Sequence, residues 1–143
     1  MILARVLVTS LCIATAFVCC CPGEYFEPIL ERDPVPIVGG YSLGRPLGGD
    51  LQLYEPGLYA IVEQSVVRIG WDEEFILVEQ HPHGGWILDK PDTSNPRWHI
   101  IVVSTGKHFS WRSYDDFLFL RDVALRVPKT LEMRDAREVY YGD

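Results

Sequence analysis

The sequence predicts an α+β domain: a mostly antiparallel β meander of about seven short strands followed by one helix near the C-terminus. Short runs of β-branched and aromatic residues are separated by turns rich in glycine and proline. A single capped helical pattern comes late in the chain, and 143 residues with 48% hydrophobic content suit one core. The pattern is compatible with a sheet or with a partial barrel.

The meander is organised around residues 66–80, where two β-rich runs flank the acidic turn Asp72, Glu73 and Glu74. Apolar residues nearly alternate along the first run. They are continuous over residues 75–78, which is typical of a strand covered on both faces. This stretch predicts a central hairpin in which the acidic turn sets the register.

Further strands are predicted on both sides of this hairpin. Glu55, Pro56 and Gly57 form a tight turn, because proline presets φ and glycine accepts a left-handed conformation. The predicted strands are residues 51–54, 58–62, 86–89, 98–103 and 107–111.

The helix is predicted near residues 114–127, between a Ser113 cap and Pro128. One apolar stripe carries the prediction, and further apolar residues widen it, so we expect the helix to be clamped against the sheet. After the helix, residues 131–141 are expected to add an edge strand or a docking tail. The stripe consists of Phe117, Leu120, Ala124 and Val127, widened by Phe119, Val123 and Leu125.

Residues 1–21 have the layout of a secretory signal peptide, with a basic residue, Arg5, before an apolar run over residues 6–18. The cysteine cluster that ends this segment resembles the processing site of bacterial lipoproteins. The resemblance implies that either Cys20 or Cys21 receives lipid, such as palmitate, and becomes the N-terminus. A plain secretory signal and an uncleaved membrane anchor are the alternatives.

The body of the chain divides into an extended Pro/Gly-rich tether, residues 22–50, and the β-rich domain, residues 51–143. All four cysteines lie within the first 21 residues, which excludes a disulfide scaffold and a thiol nucleophile in the body. After residue 21 the chain has 12 basic and 20 acidic residues, a net charge of −8. This charge argues against nucleic-acid binding.

Two kinds of candidate site are present. His81 and His83 could bind zinc or copper, together with Glu79, His99 or His108 from neighbouring strands. The alternative is that they are ordinary residues of an exposed turn.

Tryptophans at strand ends are the second kind of candidate site. Trp71 and Trp86 could anchor a partner, and packing in the core or at a sheet edge is the alternative. The acidic pairs fit turn formation and helix capping, and no Gly-x-Ser-x-Gly motif is present. We therefore expect no enzyme activity and no cofactor.

Four segments resemble an uncharacterised family of small bacterial envelope lipoproteins, which pair a lipoprotein signal with a β-rich domain of unknown function. The resemblance implies a location in the cell envelope, anchored to the membrane and outside the cytoplasm, and it assigns no catalytic residue. The segments are VRIGWDEEFILVEQ (67–80), WHIIVV (98–103), SYDDF (113–117) and VPKTLEMR (127–134).

The expected function is that of a lipid-anchored envelope protein with a small non-catalytic binding domain. Its partners would be the membrane, through the lipid, and an envelope protein or glycan. The alternative is a metal-binding protein or metal-dependent hydrolase that uses His81 and His83. A purely structural envelope component is the third possibility.

Overall fold

The strands form two antiparallel sheets in the computed structural model, which describes residues 28–84 and 91–142. The first sheet contains, in spatial order, β1 (Val35–Pro36), β2 (Ser42–Gly44), β3 (Gln52–Glu55) and β4 (Tyr59–Val62). The second contains, in spatial order, β8 (Lys107–Trp111), β7 (Arg97–Val102), β6 (Phe75–Gln80), β5 (Val66–Trp71) and β9 (Arg134–Asp135). Neither sheet closes into a barrel. The α+β class and the antiparallel meander are therefore confirmed, with nine strands in the described ranges.

Most strands lie where the sequence predicts them, and two short helices follow them. The bounds are β1 Val35–Pro36, β2 Ser42–Gly44, β3 Gln52–Glu55, β4 Tyr59–Val62, β5 Val66–Trp71, β6 Phe75–Gln80, β7 Arg97–Val102, β8 Lys107–Trp111, α1 Tyr114–Phe119, a π-helical turn Leu120–Ala124, β9 Arg134–Asp135 and α2 Ala136–Tyr141. The strand predicted over residues 86–89 lies outside the described residues.

The predicted central hairpin is confirmed as β5 and β6, and β6 is the middle strand of the second sheet. Asp72 closes its turn, since its Oδ1 accepts hydrogen bonds from the backbone N–H groups of Glu74 and Phe75, both at 2.8 Å. This side chain fixes the pairing of Trp71 with Ile76.

Strand β6 is covered on both faces, as its continuous apolar run predicts. Ile76 and Val78 pack into a first core between the two sheets and α2. Phe75 and Leu77 point to the other face and pack into a second core beneath α1. The second sheet is thus the middle layer of the domain. The second core also contains Ile100, Phe117, Val127 and Leu131.

The N-terminal part of the body differs from the expected tether over residues 22–50. In its described part, β1 and β2 pair with each other and β2 pairs with β3. Tyr41 and Leu43 are buried in the first core. Proline punctuation does not prevent this, because Pro36 lies on an edge strand, where its missing N–H is tolerated.

The late helix is shorter than predicted, although its start is confirmed. The Oγ of Ser113 accepts the N–H of Asp116 at 3.3 Å, and Phe117 is buried. Beyond Phe119 the chain forms a π turn, whose i to i+5 bonding rotates the following side chains away from α-helical spacing. Val123, in this turn, is consequently 58% exposed. Phe119 is 63% exposed for a different reason: it lies in α1 two residues after buried Phe117, on the opposite side of the helix. Neither residue widens the buried stripe.

The C-terminal residues form both an edge strand and a docked helix, which the sequence predicts as alternatives. Strand β9 pairs with the outer edge of β5, and α2 then packs against the first core through Ala136 and Tyr140. The side chain of Asp135 caps α2 by accepting the N–H of Arg137 at 2.8 Å. No helix in residues 28–84 and 91–142 is long and apolar enough to cross a membrane.

Candidate binding groove

The face of the second sheet that packs on the first sheet is apolar at one end and polar at the other. The register places Gln80 opposite Arg97 and His99 opposite Ser110, on the same face as Val78. Strand β4, an edge of the first sheet, borders this polar end and leaves a groove of about 400 Å³. The groove is lined by Ala60, Ile61, Val62, Glu63, Gln64, Gln80, Pro82, Arg97, His99, His108 and Ser110.

A chain of hydrogen bonds runs along the groove wall. The side-chain amide of Gln80 donates to the backbone carbonyl oxygens of Glu63 and Gln64, the latter at 3.3 Å. Its Oε1 lies 3.0 Å from Nε2 of His99, which is only 4% exposed. Nδ1 of His99 lies 2.9 Å from Nε2 of His108. Three side chains on three adjacent strands are therefore linked in series.

The direction of each bond follows from the chemistry of the groups. The amide nitrogen of Gln80 faces carbonyl oxygens, so its Oε1 must accept a hydrogen bond from the Nε2–H of His99. Neutral His99 then has a lone pair on Nδ1, and His108 donates its Nε2–H to it. This assignment leaves Nδ1 of neutral His108 as a hydrogen-bond acceptor.

Both imidazoles are neutral at pH 7. Burial above all, together with the nearby His108 and Arg97, lowers the pKa of His99 to about 3. Burial also lowers the pKa of His108 below its ordinary value. The histidine pair therefore adds hydrogen-bonding capacity but no charge to the groove.

Arg97 adds a guanidinium to the groove that forms no ion pair with any described residue. It is half-buried, and its Nε is covered and lacks an acceptor. In the part of the chain that the structure describes, no guanidinium nitrogen of Arg97 has a hydrogen-bond or ion-pair partner. Arg45, which is also half-buried, instead bonds to Gly49 O at 2.8 Å and to Glu31 at 2.9 Å.

A second cavity, of about 380 Å³, lies beside α2 and contains a Ser–His–Asp cluster at its edge. Oγ of Ser65 donates to Oδ2 of Asp50 at 2.7 Å, and Nε2 of His83 lies 2.6 Å from the same oxygen. Burial alone would raise the pKa of Asp50, but the hydrogen bonds from Ser65 and His83 lower it. The carboxylate of Asp50 thus accepts two hydrogen bonds, one from Ser65 and one from His83.

This cluster does not have the geometry of a nucleophilic triad. In a triad, the serine and the carboxylate contact opposite nitrogens of the imidazole. Here Nε2 of His83 is the nitrogen nearest to both Ser65, at 3.2 Å, and Asp50. The proton on Nε2 points to the carboxylate, so this nitrogen cannot take the serine proton. The cluster is a partly buried polar network that links Asp50 before β3, Ser65 before β5 and His83 after β6.

The structure separates the histidines that the sequence groups as metal candidates. His81 pairs with Glu79 at 2.9 Å, whereas His83 pairs with Asp50. The pair that does come together is His99 with His108. Across residues 28–84 and 91–142, no group of three or more His, Asp or Glu side chains is placed to hold a metal ion. The metal role of His81 and His83 stays a prediction.

Of the two tryptophans predicted to bind a partner, the structure describes Trp71 but not Trp86. Trp71 is half-buried and packs against the first core, and the guanidinium of Arg134 lies 5.0 Å from its ring centroid. This places Trp71 at the core margin rather than in the groove. Trp86, Cys20 and Cys21 lie outside the described residues. Binding and lipidation at these positions stay predictions.

Sequence reasoning named His83, His99 and His108 only as metal candidates. It missed Gln80 and Arg97 in the groove, and Asp50 and Ser65 in the polar network. One signal for the groove was available: His99 and Gln80 interrupt or end buried apolar strands, where polar groups need partners. No comparable signal marks Asp50 and Ser65, because only the tertiary fold brings them together.

A family model described as "Protein of unknown function (DUF3997)" matches residues 49–139. The matched range contains both polar clusters and every residue that lines the groove. Searches of the curated proteins and of the solved structures found no match.

Proposed function

The chain belongs to the family of proteins of unknown function DUF3997, and from this premise we propose that it is a lipid-anchored protein of the bacterial cell envelope. Its β-rich domain binds a partner without catalysis. The binding site is the groove between β4 and the polar end of β6, β7 and β8.

The sequence of the first 21 residues supports the anchor. An apolar run precedes Cys20 and Cys21, and either of them could be the lipidated cysteine of a lipoprotein signal. The body carries a net charge of −8 and would be repelled by anionic lipids, so electrostatic attraction does not hold it at a membrane. Acyl chains supply the attachment instead, at about 0.8 kcal/mol for each buried methylene.

The unpaired charge of Arg97 is the observation that carries the binding role. A groove that holds an uncompensated cation beside neutral, hydrogen-bonded histidines is suited to recognition. The chemistry of the neighbouring groups also favours binding over catalysis. The Nε2 protons of His99 and His108 are both used in the hydrogen-bond chain, and the Ser65 hydroxyl proton is directed to Asp50.

Metabolic labelling with a fatty-acid analogue tests the anchor. We expect the wild-type protein to carry the label and to sediment with membranes, and the double variant Cys20→Ser/Cys21→Ser to lose both properties. Cys12→Ser is the matched control, because it removes a cysteine from the same segment without touching the cluster. An unlabelled wild-type protein, or a double variant that stays on the membrane, would contradict the proposal.

Site-specific photo-crosslinking in intact cells tests the groove. A photoreactive residue at Ser110 lies in the groove, whereas one at exposed Lys129 lies outside it. We expect a discrete adduct from position 110 and none from position 129. The binding role fails if position 110 gives no adduct or if both positions give the same one.

A further inference from the structure

We propose that the groove binds a polypeptide segment through a carboxylate group, with the guanidinium of Arg97 as its counter-ion. This inference rests on the proposed binding function and assigns the chemistry of the partner. The argument combines the charge of the groove, its hydrogen-bonding groups and the strand at its border.

The state of Arg97 indicates an anionic ligand. Its covered Nε–H has lost water contacts without gaining a protein acceptor, and no described residue forms an ion pair with the guanidinium. A carboxylate would balance this charge, and its two oxygens match the fork of paired N–H groups on the two terminal nitrogens of arginine. In the free protein, the guanidinium of Arg97 therefore lacks a counter-ion among the described residues.

The charge balance favours a carboxylate over a phosphate. Arg97 is the single cationic side chain among the lining residues, and Glu63 adds a negative charge to the same wall. His99 adds no positive charge, because it is buried and both of its ring nitrogens are used in the hydrogen-bond chain. A monoanion is therefore accommodated, whereas a phosphate dianion would meet one cation, one carboxylate and a body of net charge −8.

The strand that borders the groove favours a polypeptide. Strand β4 is the last strand of the first sheet, and in residues 28–84 and 91–142 no strand pairs with it on the side away from β3. An extended peptide can add to such an edge through backbone hydrogen bonds. Nδ1 of His108 is then available to accept an N–H from a peptide whose carboxylate lies at Arg97.

Nuclear magnetic resonance of the full chain in detergent micelles tests the inference. Four probes are titrated: N-acetyl-trialanine with a free C-terminus, its C-terminal amide, an amidated N-acetyl-Ala-Asp-Ala peptide, and glucuronate. The readouts are the Nε–H resonance of Arg97 and the ring nitrogens of His99 and His108.

We expect saturable shifts from at least one peptide that carries a carboxylate and none from the neutral amide. A stronger response to free trialanine identifies a C-terminus as the recognised group, and a stronger response to the aspartate peptide identifies an acidic side chain. Binding of the neutral amide with equal affinity would overturn the carboxylate assignment. Binding of glucuronate as tightly as either peptide would overturn the polypeptide assignment.

Substitutions of Arg97 test whether the peptide carboxylate binds to this residue. Arg97→Gln should weaken binding by about tenfold or more, because it removes a charge-assisted pair of hydrogen bonds. Arg97→Lys should lose less, since it keeps the charge without the fork. Arg112→Gln, at an exposed position after β8, is the matched control and should stay within about twofold of wild type. Equal affinities for the Arg97 and Arg112 variants would overturn the role of Arg97.

The two proposals fail in different ways. An adduct from position 110 together with peptides that show no carboxylate preference refutes the carboxylate inference and leaves the binding function in place. The opposite result is that only carboxylate peptides shift the resonances, while position 110 gives no crosslinked adduct in cells. This result refutes the binding function in the envelope and supports carboxylate recognition by the groove.

Discussion

His108 donates its Nε2–H to Nδ1 of His99 across 2.9 Å, and this bond requires that Nδ1 of His99 carries no proton. A proton added to His99 would have no acceptor there, since Nδ1 already accepts from His108 and Nε2 already donates to Gln80. The polar end of the sheet therefore favours a neutral His99.

The free energy of unfolding should fall as the pH is lowered below about 6.5. The pKa of His99 is about 3 in the folded protein, below the ordinary value of 6.5 that it regains on unfolding. Between these values the unfolded chain binds a proton that the folded protein does not, so stability rises with pH across this window. Each pKa unit corresponds to about 1.4 kcal/mol, which predicts a loss of a few kcal/mol.

Urea unfolding between pH 7.5 and 4.5 measures this dependence. His99→Asn removes the titrating group and should flatten the curve in this range, although the variant will be less stable at pH 7.5. If wild type and His99→Asn have the same slope against pH, the assignment of a buried neutral imidazole is wrong.

Removing the hydroxyl of Ser65 should destabilise the protein by about 1–2 kcal/mol, because partly exposed Asp50 loses a charge-assisted donor. The backbone of Ser65 also has a φ of 50°, a left-handed conformation that glycine adopts more easily. Ser65→Gly should therefore be less destabilising than Ser65→Ala by about 0.5–1 kcal/mol. Urea unfolding of the two variants measures both effects, and the reverse order would contradict them.

Gly70→Ala should destabilise the protein by about 2 kcal/mol or more, because there is no room for a side chain. A Cβ atom at Gly70 would lie 2.9 Å from the carbonyl carbon of Glu132 and 3.1 Å from Cα of Met133, so backbone would have to move. Gly84→Ala is the control, since a Cβ there meets no atom of the described residues within 4 Å. Thermal unfolding should show a shift within about 0.5 kcal/mol of wild type for this control.

Arg97→Met should leave the stability of the ligand-free protein unchanged or raise it by up to about 1 kcal/mol, because it removes an unsatisfied buried donor. Arg45→Met, at a similarly buried arginine, should instead cost about 1–3 kcal/mol, since Arg45 bonds to Glu31, Gly49 and Tyr141. Chemical denaturation without ligand separates the two. A large loss in Arg97→Met would mean that Arg97 has a structural role.

Local patterns predicted most of the second sheet. The continuous apolar run of β6 correctly indicated burial on both faces, and the acidic turn after Trp71 correctly indicated the hairpin. Two features could not be read from such patterns. Residues 35–44 join the first sheet through pairing with β3, and the π turn after Phe119 redirects apolar side chains to solvent. Both depend on tertiary context rather than on local periodicity.

The candidate site was predictable only in part, for a related reason. His99 and His108 were recognisable as polar residues on strands, and the pairing of β7 with β8 brings them together. Arg97 gave no signal, because an arginine at a strand start is ordinary and its lack of a partner is visible only in the structure. The motif His81–Pro82–His83 drew attention through its spacing, yet its two rings bond to different carboxylates.

If the chain is lipid-anchored as proposed, the incorporation of the N-terminal strands into the first sheet limits how far the domain can stand from the bilayer. Among the described residues, the first β-bridge joins Leu30 to Pro46, and Arg32 and Arg45 bond to Tyr140 and Tyr141 on α2. If Cys21 rather than Cys20 carries the lipid, nine residue steps lead from it to Leu30, and their maximum span is about 30–32 Å. The groove would then stay near the membrane surface, and any protein that binds in it must also come near that surface.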